Sequence, residues 1–159
     1  MLLADEINRA PAKVQSALLQ SMEEKQVTIG EETYTLEAPF MVLATENPIE
    51  QEGTYPLPEA QLDRFFMKVL IDYPTMEEEK QILTRFNEIN VENINSVISP
   101  KKITEHIPLI ESIYIDEQLI DYIVSIVNQT REPHKEELKK YLEFGASPRA
   151  SIALMKASK

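Results

Sequence analysis

The sequence predicts an α/β domain, in which a parallel sheet is flanked by helices, followed by an all-helical part. Two continuous apolar runs, at 2–4 and 40–45, are typical of strands covered on both faces, as in parallel sheets. Apolar residues at helical spacing lie between these runs, and strand signals give way to helical ones after Pro74. We therefore expect residues 1–74 to contain the sheet and residues 75–159 to be helical.

The elements of the first part have separate local signals. Apolar residues at helical spacing after Pro11 predict a helix, because proline suits a first helical turn. Alternating apolar residues around Gly30 predict a hairpin over 26–36. A Pro-rich stretch without periodicity follows the second strand, and then a short helix over 59–65 and a third strand over 65–73 are expected.

The second part carries helix-start signals. Thr75 with Glu78 forms a capping box, which predicts a helix that runs to about Asn87. The remaining predicted helices cover 101–113, 116–129 with Asp116 as N-cap, and 147 onward with Ser147 as N-cap and Pro148 at the first helical position.

Composition excludes several classes of function. The formal net charge is −11, and residues 1–74 carry 5 basic and 13 acidic residues, which argues against binding to a nucleic acid backbone. The absence of cysteine excludes disulfides and thiolate metal sites, and His106 and His134 lie in no zinc or triad pattern. No apolar run is long enough to span a bilayer, so we expect a cytoplasmic protein without stable membrane insertion.

Three polar residues follow the two predicted strands. Asp5 and Glu6 follow the first and Asn47 the second, and the carboxyl ends of parallel strands face one crevice. Neighbouring carboxylates repel unless a cation or proton intervenes, and Mg²⁺ prefers oxygen ligands and phosphates. One acid could hold the ion while the other polarises a water. Alternatively, the acids begin a solvated turn, and Asn47 with Pro48 is an ordinary turn start.

Two arginines are candidates for phosphate contacts. Arg64 precedes the third predicted strand, where its guanidinium could reach a γ-phosphate bound by a neighbouring subunit. Arg149 lies in the first turn of a capped helix, where free N–H groups attract anions. The alternative for Arg64 is a surface ion pair. The alternative for Arg149 is an exposed side chain, at a position where the helix dipole disfavours positive charge.

Three stretches in this order, "LLADEINRAPAKVQSALLQSMEEKQV", "VLATENPIEQEGTYPLPEAQLDRFFMKV" and "GASPRAS", closely resemble MoxR-type ATPases of the AAA+ superfamily. The resemblance implies a partial AAA+ P-loop NTPase core with an inserted hairpin, followed by a helical lid. Residues 1–74 would be the C-terminal part of the nucleotide-binding core, and residues 75–159 a truncated lid.

The resemblance also implies roles for the candidate residues. Asp5 and Glu6 match the Walker B acids, which serve Mg²⁺ and the attacking water respectively. Asn47 matches sensor 1, which positions that water against the γ-phosphate of ATP. Arg64 matches the arginine finger that acts on the adjacent subunit's nucleotide, and Arg149 matches the sensor 2 arginine of the lid.

One departure from the family pattern concerns the phosphate loop. Glycine occurs at 30, 53 and 145 alone, and none belongs to a G-x-x-x-x-G-K-[ST] motif. We therefore expect an internal piece of a longer protein, and negligible ATP hydrolysis by this piece alone.

Family members usually form hexameric rings and act as chaperone-like remodellers of partner complexes, commonly with proteins that contain a von Willebrand A-type domain. The alternative is a non-catalytic interaction module that binds partners through the hairpin and lid. A DNA helicase or transcriptional activator on the same fold is disfavoured by the acidic balance and by the acidic hairpin tip at 30–32.

Overall fold

The computed structural model describes residues 1–47, 53–86 and 95–159. Its first part contains strands and helices in alternation: β1 (Leu2–Ala4), a 3₁₀ turn (Ile7–Arg9), α1 (Ala12–Glu24), β2 (Gln26–Ile29), β3 (Glu32–Thr35), β4 (Val42–Ala44) and α2 (Glu59–Leu62). Among the described residues that follow, the elements are all helices: α3 (Met76–Arg85), α4 (Pro100–Glu111), α5 (Glu117–Arg131), α6 (Glu136–Lys139) and α7 (Pro148–Ala157). Part of the Pro-rich stretch, 48–52, and the predicted helix end at Asn87 lie outside the described residues.

The two apolar runs form neighbouring parallel strands, as predicted. β1 pairs with β4 in a register that places Leu2 beside Val42 and Ala4 beside Ala44. The backbone N–H of Thr45 then donates to the carbonyl of Ala4 over 3.0 Å, which extends the pairing one residue past β4. Because both strands run in the same direction, the residues that follow them emerge at one edge of the sheet.

A β-hairpin over 26–35 confirms the predicted one. β2 and β3 are antiparallel, with Gln26 opposite Thr35 and Ile29 opposite Glu32. The two-residue turn contains Gly30 at φ +67°, a backbone conformation that favours glycine. The hairpin follows α1 directly, through Lys25 in the left-handed region.

The predicted third strand over 65–73 is wrong for this chain. After α2 the chain continues to α3 without a strand, and its apolar side chains are exposed, reaching 90% at Ile71. A strand requires a neighbour to accept and donate its backbone hydrogen bonds, and the sheets of the described residues pair only β1 with β4 and β2 with β3. The expectation of strands covered on both faces also fails in part, since Leu3 and Leu43 are exposed.

The predicted helix caps are present in the second part. Thr75 and Glu78 form a complete capping box at the start of α3. Asp116 accepts a hydrogen bond from the Gln118 backbone N–H at the start of α5, and Ser147 accepts one from the Arg149 N–H at the start of α7. In the described part of the chain, no helix has the length and apolar character that a membrane crossing requires.

Few apolar side chains of the described residues are buried. Ile7, Leu19 and Leu57 are the buried apolar residues of the first part, and Ile123 and Val127 of α5 are those of the second. α5 packs against α7, so the buried face of α5 fixes the helix that carries Arg149. Polar contacts from Asp63 to Ser147 join α7 to the turn that follows α2.

Candidate functional site at the ends of the parallel strands

The acids that follow β1 are tied to the chain that follows β4. The Thr45 hydroxyl donates to Asp5 Oδ1 over 2.5 Å and accepts from the backbone N–H of Glu6 over 2.8 Å. The Thr45 carbonyl accepts from the Ile7 N–H over 3.0 Å. Glu6 lies in the left-handed region at φ 48°, an uncommon conformation for this residue type. Thr45 therefore fixes both the position of Asp5 and the turn that presents Glu6.

The carboxylate of Glu6 meets Asn47 and Arg9. Asn47 Nδ2 lies 3.5 Å from Glu6 Oε1, at the long end of hydrogen-bond distances. Arg9 Nε lies 2.8 Å from Glu6 Oε2 in an ion pair. The structure thus brings Asp5, Glu6 and Asn47 together at one edge of the sheet.

Two buried side-chain amides donate hydrogen bonds to the backbone next to this edge. Asn8 is 7% exposed, and its Nδ2 donates to the Asn47 carbonyl over 3.2 Å. Gln15 is 2% exposed, and its Nε2 donates to the carbonyls of Ile7 and Tyr55 over 3.2 and 2.9 Å. Buried carbonyls require such donors, so these amides tie the loops after β1 and β4 to the segment at Tyr55.

Sequence reasoning did not identify Asn8, Gln15, Thr45 or Arg9 as parts of this site. A usable signal existed for Gln15 alone. It lies one turn before Leu19 on the helix predicted after Pro11, and both side chains are buried, so a polar side chain falls on the buried face of the helix. A buried polar side chain in a helix indicates a specific hydrogen-bond partner.

The two candidate arginines meet at a different acid. Arg64 Nη1 lies 2.7 Å from Oε2 of Glu23, and Arg149 Nη2 lies 3.0 Å from Oε1 of the same carboxylate. Arg149 Nη1 also lies 3.2 Å from Oδ2 of Asp63. The Ser147 hydroxyl lies 2.7 Å from both oxygens of Asp63. We call Glu23, Asp63, Arg64, Ser147 and Arg149 the arginine cluster.

The strand-end residues suit a magnesium ion that is shared with a nucleotide. Asp5 is exposed, and hydrogen bonds within the described residues occupy only its Oδ1. Within the same residues, no group of three His, Asp or Glu side chains could hold a metal by itself. Mg²⁺ in phosphate-transfer sites takes one or two carboxylates and completes its shell with waters and phosphates, so a single exposed Asp5 fits such an ion.

Comparison with known proteins shows which family the chain is similar to. The family model described as "ATPase family associated with various cellular activities (AAA)" matches residues 1–67. The chain is 45% identical over 161 residues to Chaperone MoxR1 of Mycobacterium tuberculosis, covering 99% of this chain and 42% of that protein. It is 44% identical over 159 residues to the uncharacterized protein YeaC of Bacillus subtilis, covering 99% and 48%.

A solved structure has a similar fold over nearly the whole of this chain. The crystal structure of a "putative ATPase" from Cytophaga hutchinsonii superposes with a TM-score of 0.84 at 48% identity, over 97% of this chain and 48% of that one. The chain thus spans somewhat less than half the length of each of these proteins. Its strands and helices are those of a partial AAA+ core with a helical part. By sequence and by fold, the chain corresponds to a part of MoxR-family AAA+ ATPases.

Proposed function

We propose that this chain is part of a Mg²⁺-dependent ATPase that remodels or matures partner protein complexes. The observation that carries the proposal is the convergence of Asp5, Glu6 and Asn47 at the carboxyl ends of β1 and β4. Ligands of open α/β sheets bind at this edge. The family of the chain and the geometry of these three side chains support the same reaction, although each alone fits other functions.

In the proposed reaction each strand-end residue has a separate role. Mg²⁺ bound with ATP would neutralise charge on the β- and γ-phosphates. Asp5 would be its protein ligand, through the carboxylate oxygen opposite the one that Thr45 binds. Glu6 would accept a proton from the attacking water, and the Asn47 amide would orient that water. Arg9 binds one oxygen of Glu6 in this structure, so Glu6 would have to share or release this contact to act as a base.

The two arginines would act on the phosphates. Arg64 is proposed as the finger that reaches the nucleotide of an adjacent subunit, and Arg149 as the lid arginine. Both side chains are partly exposed, at 32% and 53%, so a phosphate oxygen can approach them. A guanidinium that contacts the transferring phosphate is worth about 10³–10⁵ in rate in other nucleotide hydrolases.

The proposal includes assembly and clients. An arginine that serves a neighbouring subunit requires an oligomer, and we propose the hexameric ring usual for this family. The name of the relative Chaperone MoxR1 supports a chaperone-like action on protein clients. We propose von Willebrand A-type proteins as the class of partner and the cytoplasm as the compartment. The charge of −11 supports protein rather than nucleic acid as the client.

The phosphate loop is the missing half of the proposed site. Its backbone N–H groups and lysine hold the β- and γ-phosphates in P-loop enzymes. No such motif occurs among these 159 residues, so we propose that another segment of the full-length protein supplies it. This division of the site predicts that activity requires the longer protein.

A phosphate-release assay on two proteins tests the proposal. We expect Mg²⁺-dependent release of phosphate from ATP by the full-length protein, and negligible release by the 159-residue chain. Turnover by the short chain would contradict the assigned role of the missing loop. A full-length protein that neither binds nor hydrolyses ATP would contradict the enzyme and favour a non-catalytic interaction module.

A further inference from the structure

Glu23 holds both candidate arginines with one carboxylate. It lies near the C-terminal end of α1, 41 positions before Arg64 and 126 before Arg149 along the chain. Each of its two oxygens accepts from a different guanidinium, over 2.7 and 3.0 Å. The acid therefore joins three distant parts of the sequence: α1, the turn after α2, and α7.

The shared carboxylate of Glu23 offsets two unfavourable electrostatic effects. Two guanidinium groups that bind one carboxylate lie close enough to repel each other, and Arg149 lies at a helix N-terminus, where the dipole disfavours a cation. Asp63 adds a second acid to Arg149. Without Glu23, mutual repulsion would drive the two guanidinium groups apart, and the helix dipole would disfavour Arg149 at its present position.

The backbone that precedes Arg149 is held by hydrogen bonds that do not involve Glu23. Arg131 Nε donates to the Ala146 carbonyl over 2.7 Å, and the Ala146 N–H donates to Thr130 Oγ1 over 2.8 Å. The Ser147 hydroxyl caps the helix and contacts Asp63. Loss of the Glu23 carboxylate should therefore move the two guanidinium groups and leave the start of α7 in place.

The arginines retain donors for an anion. A guanidinium has five N–H donors, and Glu23 engages a single Nη atom of Arg64. The side chains of Arg64 and Arg149 are 32% and 53% exposed, so the Nη donors that the acids leave unused can bind an anion.

We propose that Glu23 is a positioning residue, which couples Arg64 and Arg149 into one unit that binds a phosphate group. The identity of that phosphate as part of the adjacent subunit's ATP, which Arg64 is proposed to reach, rests on the proposed function above. Glu23 itself would contact neither the nucleotide nor the attacking water, so its effect must pass through the two arginines.

A double-mutant cycle in the full-length protein tests the coupling. The variants are Glu23→Gln, Arg149→Ala and the double variant, with Glu24→Gln as the matched control. Glu24 is the adjacent acid and loses the same charge, yet its carboxylate binds Gln20 and Gln26 instead of arginine. We expect Glu23→Gln to lower kcat about tenfold in the wild-type background and less than about twofold in the Arg149→Ala background, because coupled residues are not additive.

Equal losses in both backgrounds, or an equal loss in Glu24→Gln, would overturn the coupling. A purely structural effect of Glu23 would keep its full size after removal of Arg149, whereas an effect transmitted through the coupled pair of arginines would shrink. The same cycle with Arg64→Ala tests the other half of the unit, with the same expected and contradicting outcomes.

A second measurement on the 159-residue chain separates this inference from the ATPase proposal. We expect the NMR signals of the Arg64 and Arg149 Nε–Hε groups to move together during titration with inorganic pyrophosphate. Glu23→Gln should shift both signals before titration and give them different midpoints, and Glu24→Gln should do neither. An arginine signal unchanged by Glu23→Gln would refute the coupling, even if the full-length protein hydrolyses ATP. Coupled signals would support it, even if the full-length protein does not.

Discussion

At the scale of single residues, the hydroxyl of Thr45 has two separate partners. It donates to Asp5 and accepts from the backbone of Glu6, so it sets the distance between the proposed Mg²⁺ ligand and the proposed base. Valine has nearly the same shape but can make neither bond. The position therefore offers a nearly isosteric test of the strand-end geometry.

We expect Thr45→Val to lower the rate of ATP hydrolysis by the full-length protein by about 10–10²-fold, since small misplacements of catalytic groups have effects of this order. Thr45→Ser keeps the hydroxyl and should retain most of the activity. Steady-state phosphate release measures both variants. Equal activity of Thr45→Val and wild type would show that this hydrogen-bond pair does not position the acids.

Residues of the site differ in how far the sequence predicts them. Asp5, Glu6 and Asn47 could be placed together because each lies within two residues of the end of an apolar run, and parallel strands bring their ends to one edge. Asn8 and Glu23 could not, because their partners lie 39 to 126 positions away and depend on how the elements pack. Their roles as supports become visible only in three dimensions.

At the scale of elements, the helix starts were predictable because caps are local. The capping box at α3 involves residues three positions apart, and its hydrogen bonds form wherever the helix forms. The third strand was not predictable in the same way, because residues 65–73 have a strand's composition but no partner in the described residues. A strand depends on its neighbour, whereas a cap does not.

The capping box predicts a pH dependence for α3. Hydrogen bonds from the Thr75 side chain and backbone hold the pKa of Glu78 below its ordinary value of 4.5. A carboxyl with a lowered folded-state pKa stabilises the helix above its unfolded pKa, and this contribution is lost as the pH falls through the folded value. We therefore expect α3 to lose stability as the pH falls below about 4.5.

Thermal unfolding followed by circular dichroism between pH 7 and pH 3 would measure this loss. Glu78→Gln should reduce the fall in Tm with acid, and Glu79→Gln, on the same turn but outside the box, should leave it in place. An unchanged pH profile in Glu78→Gln would show that the capping box does not contribute to the acid sensitivity of the chain.

At the scale of the whole molecule, the chain exposes much apolar surface. The apolar side chains of segment 66–73, between α2 and α3, are largely exposed to solvent, with exposed fractions of 80% at Leu70 and 90% at Ile71. β1 and β4 expose apolar residues as well, and an unpaired extended segment is a template for pairing with another chain. The described buried core is small by comparison.

We expect the 159-residue chain to self-associate in solution through this segment. Ile71→Lys should reduce the association, since an edge lysine blocks strand pairing. Val97→Lys, at a position 98% exposed outside the segment, is the matched control and should not. Multi-angle light scattering over a concentration series measures the mass. A clean monomer of the wild-type chain would contradict the prediction.

The central claim concerns the whole protein: Asp5, Glu6 and Asn47 form the hydrolytic end of a Mg²⁺-ATP site. The most direct test is Glu6→Gln in the full-length protein, with ATP binding and phosphate release measured in parallel and Glu46→Gln as the control. We predict that Glu6→Gln retains ATP binding and loses about 10²–10⁴-fold in hydrolysis, as expected for removal of a general base. Hydrolysis by Glu6→Gln at the wild-type rate would contradict the account.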